Sequence, residues 1–356
     1  MVIRGSHCGK RNRTEGALRV PGEIASRPPF PNGVFPTLRR LTRRRAAGSV
    51  EVPIAGPGGD PRRRGKASLR IAYTSDLHID VSKENREGVA AVAGLVRDAR
   101  PDVLIVAGDA GNTMKALEEA LSLFEGIDTR KLFVAGNHDV WIESEGGGLV
   151  DSRTKYERRI PEACGRRGFH DLGREPVVIG DIGFVGSLGW YDYSFADPRL
   201  GLGEDEYWKG RRGEEIWWDK KMTYWVPAPG APDRGLRERV RDPEVCREMT
   251  ARLEKDLRAV EGRVAKIVAV IHTLPFFVGI PRSDPPYFLD AYTGSSAIGE
   301  TLRAHEKVAH CIHGHKHSCG DWSVGDLRLC RRALGRIEEG GEGEGRAAQA
   351  VGIISL

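Results

Sequence analysis

"LRIAYTSDLHID", residues Leu69–Asp80, decides how the chain folds. A short β-branched and apolar run stops abruptly at Ser75-Asp76-Leu77-His78, which reads as a buried strand with polar groups at its carboxyl end. Next comes "KENREGVAAVAGLVRDAR" (83–100), with Val89, Val92, Leu95 and Val96 at the spacing of one helical face. "PDVLIVAGD" (101–109) predicts a second buried strand, "TMKALEEALSLFEG" (113–126) a second helix and "KLFVAGNHD" (131–139) a third strand. Strands and helices alternating over such short connections require parallel strands and right-handed crossovers. Further along, 176–190 predicts two strands about a Gly180-Asp181 turn, 243–260 a helix, and "VAKIVAVIH" (264–272) and "VAHCIHGH" (308–315) two more strands. The pattern is that of an α/β protein, a sandwich of helix-covered sheets.

The chain of 356 residues has a net charge of +5, and that average hides an asymmetry. Residues 1–70 carry 16 Lys/Arg against 4 Asp/Glu, and the remainder carries 39 against 46. The folded body is therefore mildly acidic, which disfavours nucleic acid as a partner, because phosphate-backbone binding needs a basic footprint on the domain. No run approaches the ~18 apolar residues of a membrane span. The N-terminus lacks the apolar core of a secretory signal. Six cysteines without a framework spacing predict free thiols and a cytoplasmic protein.

Residues 1–67 carry Arg runs, Pro and Gly, and no sustained period, so the expectation is a disordered basic extension. A start site placed too far upstream, or an Arg-rich transit peptide, would have the same composition. The domain is expected over 68–332, followed by a Gly/Glu-rich low-complexity tail over 333–356. Within the domain, about 190–235 is rich in Trp and Tyr and lacks strand alternation. It reads as a long insertion, and such connections often form walls or lids.

The strand ends carry the chemistry. They present Asp76-Leu-His78, Gly108-Asp109, Gly136-Asn137-His138-Asp139, His272 and Gly314-His315-Lys316-His317. Sites in open α/β sheets form beyond the carboxyl ends of strands, so these groups converge on one rim. Carboxylate, imidazole and carboxamide donors without thiolate suit divalent ions such as Mn, Fe or Zn. A D-x-H pair can hold one metal, the two histidines of H-x-H can each reach a different metal, and a lone carboxylate such as Asp109 can bridge two.

In this order the motifs resemble those of the calcineurin-like metallophosphoesterase superfamily, over roughly residues 69–320. The resemblance implies a four-layer α/β/β/α sandwich and hydrolysis of phosphate mono- or diesters by a water activated between two divalent metal ions. It implies that Asp76, His78 and His317 hold one metal, that Asn137, His272 and His315 hold the other, and that Asp109 bridges them. His138 would face the substrate as electrostatic stabiliser or general acid. Protein Ser/Thr phosphatases of the superfamily follow GD with an acidic residue and an Arg and then use GNHE. "GDAGNT" has Asn112 at the acidic position, which disfavours that role and removes the usual carboxylate behind the catalytic histidine. Asn112 also excludes the Tyr ligand of purple acid phosphatases.

"GSLGWYDYSF" (186–195) resembles a group of bacterial-type predicted phosphoesterases with an aromatic insertion at this point. The aromatics of this segment read either as ordinary core that caps the sandwich or as the wall of a substrate pocket; if any reach the site, Trp190 and Tyr191, nearest a strand end, are the expected ones, with Asp192 and Lys220 as alternatives. A small-molecule phosphate ester is the expected substrate. A nuclease, or a non-catalytic scaffold that has lost its metals, are the competing functions. In "HCIHGHKHSCGDW" (310–322), His315 and His317 are the expected ligands, with His313 at most behind them and His310 in packing.

Overall fold

The computed structural model describes residues 68–228, 239–337 and 343–356. The expectations for 1–67, and those parts of the insertion and tail that fall on 229–238 and 338–342, lie outside the described residues.

Two sheets form the body. In the first, β1 (Arg70–Thr74), β2 (Val103–Ala107), β3 (Arg130–Val134) and β4 (Phe169–Asp171) lie side by side in parallel. The second contains β5 (Val177–Ile179), β6 (Ile182–Ser187), β7 (Lys266–Ile271), β8 (Val308–His313), β9 (Gly320–Val324) and β10 (Leu327–Arg331), in spatial order β9-β10-β8-β7-β6-β5. Its four central strands are parallel, and antiparallel hairpins close both edges.

Period-two alternation builds the layers. Ile71, Tyr73, Ile105 and Val134 of the first sheet pack with Phe184, Val268, Val270 and Ile312 of the second. The intervening residues, such as Ala72, Leu104 and Val106, or Val185, Ala269 and Cys311, belong to a separate core that contains the helices. The result is the expected four-layer arrangement, with helices outside two facing sheets. Burying each Val or Leu in these layers contributes about 1.5–3 kcal/mol.

The helices are α1 (Lys83–Ala99), α2 (Met114–Ser122), α3 (Ile160–Arg166), α4 (Asp242–Glu261), α5 (Ser296–Arg303) and α6 (Gly343–Ala350). Ser82 caps α1 by accepting the Asn85 N–H at 3.0 Å, with Glu84 in the first turn and Arg97 in the last. Val89, Val92 and Val96 are buried as the spacing predicts, whereas Leu95 is on the exposed side.

The sequence ends the domain at 332, yet ordered elements continue beyond it. Strand β11 (Gly352–Ser355) pairs antiparallel with β1, and α6 packs on α1. Leu334 and Gly335 donate backbone hydrogen bonds to Ser75 O and Asp76 O at 3.1 and 2.9 Å. The buried Asn85 amide fixes this segment, donating to Leu77 O and Gly335 O and accepting from Ile337 N–H. A Gly/Glu-rich lead-in conceals these short apolar elements in the sequence.

The segment after Trp190 holds short helices at Glu204–Trp208 and Asp219–Met222 and a ribbon pairing Arg211–Arg212 with Glu215–Ile216. Its aromatic rings stack on one another, with Trp190 on Tyr191 at 4.6 Å and Tyr193 on Tyr207 at 5.4 Å. Beneath them the buried Asp242 carboxylate accepts from Trp190 Nε1–H, Tyr193 O–H and Lys220 Nζ.

At the other side of the sandwich, His305 is clamped between two carboxylates of α4. Its Nε2 lies 2.9 Å from Glu254 and its Nδ1 3.0 Å from Glu261. Burial disfavours the charge, but the two glutamates outweigh it and raise the imidazole pKa. A raised folded-state pKa means the clamp is fully stabilising below the unfolded value, ~6.5, and loses its contribution as pH rises through the folded one. The difference in urea midpoint between the wild type and His305→Ala is therefore expected to be widest near pH 5 and to narrow towards pH 9. A difference that stays constant with pH would refute the clamp.

Candidate metal centre

Three of the five strands that end at the rim, β1, β2 and β8, do so by a strained turn. Among the described residues, six non-glycine residues have positive φ, and four of them are Asp76 (52°), His78 (44°), Asp109 (55°) and His315 (70°). Left-handed backbone tolerates Asp and His better than branched residues, and strain of this kind concentrates at functional sites. Backbone bonds between the loops hold it, from Asp76 N to Gly108 O and from His78 N to Asp109 O, each at 2.9 Å.

Asp139 ties the loops together. Its buried carboxylate accepts the N–H groups of Asp109, Ala110, Gly111 and Gly136 at 2.7–3.1 Å. Burial and the neighbouring Asp109 charge push its carboxyl up to about 7, and these backbone donors oppose the rise. Two glycines let the aspartates come close to the next loop. A side chain at Gly136 would put its Cβ 2.1 Å from Asp109 Oδ1, and one at Gly314 would lie 2.6 Å from Asp76 Oδ2.

The seven expected ligands come together. Ligand atoms of Asp76, His78 and His317 lie within 4.8 Å of one another, as do those of Asp76, Asp109 and His272, and those of His78, Asp109 and His138. His78 Nε2 is 3.0 Å from His317 Nε2 and 3.7 Å from Asp109 Oδ2. Asp76, His78, Asp109, Asn137 and His272 are buried, whereas His138, His315 and His317 are half-buried and face the mouth.

On the other side of Asp109, the surrounding groups fix which atoms point inwards. His272 Nδ1 is 2.8 Å from the Ala107 carbonyl, which can only accept, so this nitrogen carries the proton. His315 Nε2 is 3.2 Å from the Tyr292 carbonyl and carries its proton for the same reason. The Asn137 Nδ2 donates to Asp219 Oδ1 at 3.1 Å, which turns the amide oxygen towards the histidines. His315 Nδ1 and His272 Nε2 then face Asn137 Oδ1 at 2.8 and 3.1 Å, and Asp109 Oδ2 lies 3.4 Å from His272 Nε2.

Such a cluster of acceptors needs a positive centre. Burial lowers the His272 pKa, but Asp109 overcomes it and holds the imidazole up to about 10, so a proton can play that part at His272. No proton serves His315, whose pKa burial and the His272 charge keep well below the usual range. Burial alone would raise Asp109, yet His272 and His138 hold its carboxyl well below the ordinary range. The donor set fits divalent ions: nitrogen and oxygen lone pairs, fixed second nitrogens, and a shared carboxylate.

His138 lies at the mouth. Its N–H donates to Asp109 Oδ1 at 2.9 Å, its ring rests against Trp141, and its Nδ1 is 2.7 Å from Asn112 Oδ1. Asn112, a departure from the protein-phosphatase pattern, therefore stands behind this histidine with a neutral carbonyl. Burial pulls the imidazole down to about 3, despite the pull of Asp109 in the other direction.

The family model for calcineurin-like phosphoesterases matches residues 69–319. The chain belongs to this family. Calcineurin-like phosphoesterases are metal-dependent hydrolases of phosphate esters, and this one has its Asp and His groups placed to hold metal. No curated protein matches the chain in sequence. Among solved structures it is similar to the phosphopantetheinyl hydrolase of Mycobacterium tuberculosis, with TM-score 0.60 and 18% identity over 81% of this chain and 96% of that one. A dimetal phosphatase from Danio rerio follows, with TM-score 0.44 and 12% identity over 75% and 87% of the respective chains. Among the described residues of this phosphoesterase, no helix is long and apolar enough to cross a membrane.

The expected substrate aromatics are a correction. Trp190 and Tyr191 are both fully buried, inside the stacked cluster. The turn after β6, through Gly189 at φ 65°, sends them into the core. Lys220 is engaged by Asp242, and Asp192 accepts from Ser194 and Ser295. The half-buried aromatic at the site is Trp217, edge-on to the His315 ring at 5.8 Å and stacked on Tyr292 at 5.2 Å. Two further groups at the site carry no signal in the sequence: Asp219, which orients Asn137, and the Tyr292 carbonyl, which orients His315. Both lie in single helical turns, Asp219–Met222 and Phe288–Tyr292, too short to show a period in the sequence, and only the returning chain brings them in. His313 sits on β8 opposite Arg331, outside the ligand cluster.

Proposed function

We propose that this phosphoesterase hydrolyses small-molecule phosphate esters with a pair of divalent ions. Asp76, His78 and His317 would hold one, Asn137, His272 and His315 the other, and Asp109 both. One observation carries the reading: the acceptor atoms of His315, His272 and Asn137 face each other at 2.8–3.1 Å, with their other nitrogens bonded away. When bound, such a pair would neutralise charge on the phosphoryl oxygens and acidify a water for in-line attack.

The protein groups do the rest. Asp139 and the strained turns keep the rim fixed, so little reorganisation is needed when the substrate arrives. His138, aligned by Asn112, is neutral in the free site and donates its Nδ1–H to the amide carbonyl. A phosphoryl dianion beside Nε2 raises the affinity of the ring for a proton, which it can pass to the leaving oxygen. Trp217 offers a flat apolar wall beside His315 for the organic part of the ester. The acidic body favours a small ester over nucleic acid.

The test is metal analysis of the purified protein alongside a panel of esters assayed with Mn, Fe and Zn, including a nucleotide, a cyclic nucleotide and the phosphopantetheinyl group that the mycobacterial neighbour is named for. About two ions per chain and ester hydrolysis are expected. Hydrolysis of no ester at full metal occupancy would refute the reading. Asn112→Asp probes His138. A carboxylate behind Nδ1 favours the imidazolium, so the alkaline limb of kcat against pH, which reports the substrate-bound state, should move to higher pH by about one pH unit or more. An unmoved limb would exclude His138 as the acid.

A further inference from the structure

The segment 333–337 enters the site from beyond the last metal-ligand motif. Ala333 bridges to Ser75, Gly335 N–H donates to Asp76 O, and Asn85 holds both Gly335 and Ile337. At Gly335, φ is 70° and an added Cβ would lie 2.8 Å from His317 Cβ. Arg346 on α6 reinforces the placement, donating to Leu334 O at 3.0 Å and reaching His317 O at 3.4 Å. Arg336 is therefore carried by a fixed backbone next to Asp76 and His317.

Its charge is felt across the mouth. Arg336 is half-buried, and its charge interacts favourably with Asp109 and Asp80. These two carboxylates lie beyond β2 and β1, so the charge of Arg336 acts at the rim of the first sheet. Burial outweighs these attractions, so the charge is disfavoured in the free site. An incoming polyanion reverses that cost, and a guanidinium fork matches two phosphoryl oxygens.

We propose that Arg336 binds the phosphoryl oxygens of a dianionic phosphomonoester, as a specificity residue beside the metal centre. The proposal rests on the phosphoesterase reading and names its substrate class. A monoester presents one more negative oxygen than a diester, and Arg336 is the side chain placed to meet it.

The test compares Arg336→Gln and Arg336→Lys with the wild type. Its readouts are metal content, inorganic phosphate binding by titration calorimetry, and kcat/KM on an aryl phosphomonoester and its diester. For Arg336→Gln, metal content should be unchanged, phosphate binding weaker by about tenfold or more, and monoester kcat/KM lower by ~10²-fold, with the diester much less affected. Arg336→Lys should recover part of the monoester rate. Unchanged phosphate binding in metal-replete Arg336→Gln would overturn the proposal, as would equal losses on the two esters. If Arg336→Gln unfolds or releases metal, Arg336→Lys decides: weaker phosphate binding at full metal content supports the proposal, and wild-type binding overturns it. A wild type that binds phosphate through Arg336 but hydrolyses neither ester would refute the phosphoesterase reading and leave this inference standing.

Discussion

Asp109→Asn is expected to cost the protein both metals' tight binding and to lower ester hydrolysis on the order of 10³-fold or more. Asp109 lies between histidines of both expected metal positions, with Oδ2 at 3.7 Å from His78 Nε2 and 3.4 Å from His272 Nε2. Its Oδ1 accepts the His138 N–H, so the same carboxylate sets the histidine at the mouth. Asparagine keeps the shape and supplies one neutral oxygen. It also removes the charge that holds His272 up to about 10, so the imidazole falls towards its ordinary range and below, as burial dictates. Metal content by mass spectrometry and turnover on an aryl phosphate should fall together. If either survives alone, Asp109 does not bridge.

Gly136→Ala is expected to have nearly as large an effect without touching a ligand. The added methyl would need the space of Asp109 Oδ1, 2.1 Å away, and of the Asp109 backbone nitrogen, 2.4 Å away. Neither can retreat, because Asp109 N–H is bonded to Asp139 and the carboxylate is shared among the histidines. We expect a destabilisation of about 1–3 kcal/mol from overpacking, with metal affinity and hydrolysis lost far beyond that of a surface glycine. Gly126→Ala, where nothing lies within 4 Å of the added carbon, is the control. Equal metal content in both variants would show that the approach of the β3 loop to Asp109 is not needed.

Much of this site is legible in the sequence because the chain announces strands by apolar runs and each run stops at a polar group. Asp76, Asp109, Asn137, His272 and His315 each follow such a run within four residues, so strand order and rim can be read together. What is hidden depends on where the chain returns. Asp219 and Trp217 sit in a segment of short helices and turns, and nothing periodic marks them. Trp190 misleads for a related reason: nearness to a strand end does not give direction, and one left-handed glycine turns the next two rings inwards. Asn112 was visible as a departure from a pattern, but its bond to His138 needed the folded loop. The composition after 332 hides β11, because composition does not register a strand of four residues that borrows its partner from the start of the domain.

That partnership has a consequence for how the protein is made. On the ribosome, β1 emerges early with one edge paired to β2 as soon as that strand follows. Its other edge waits for β11, synthesised almost a whole domain later. Throughout that interval the strand leading to Asp76 exposes unpaired amides and carbonyls to every neighbouring nascent chain. Closing so long a loop is slow, and completing this edge of the first sheet is tied to β11. Arg336 and the Asn85 clamp are delivered in the same late step, so the metal-binding loops gain their final brace only when nearly all of the chain is available.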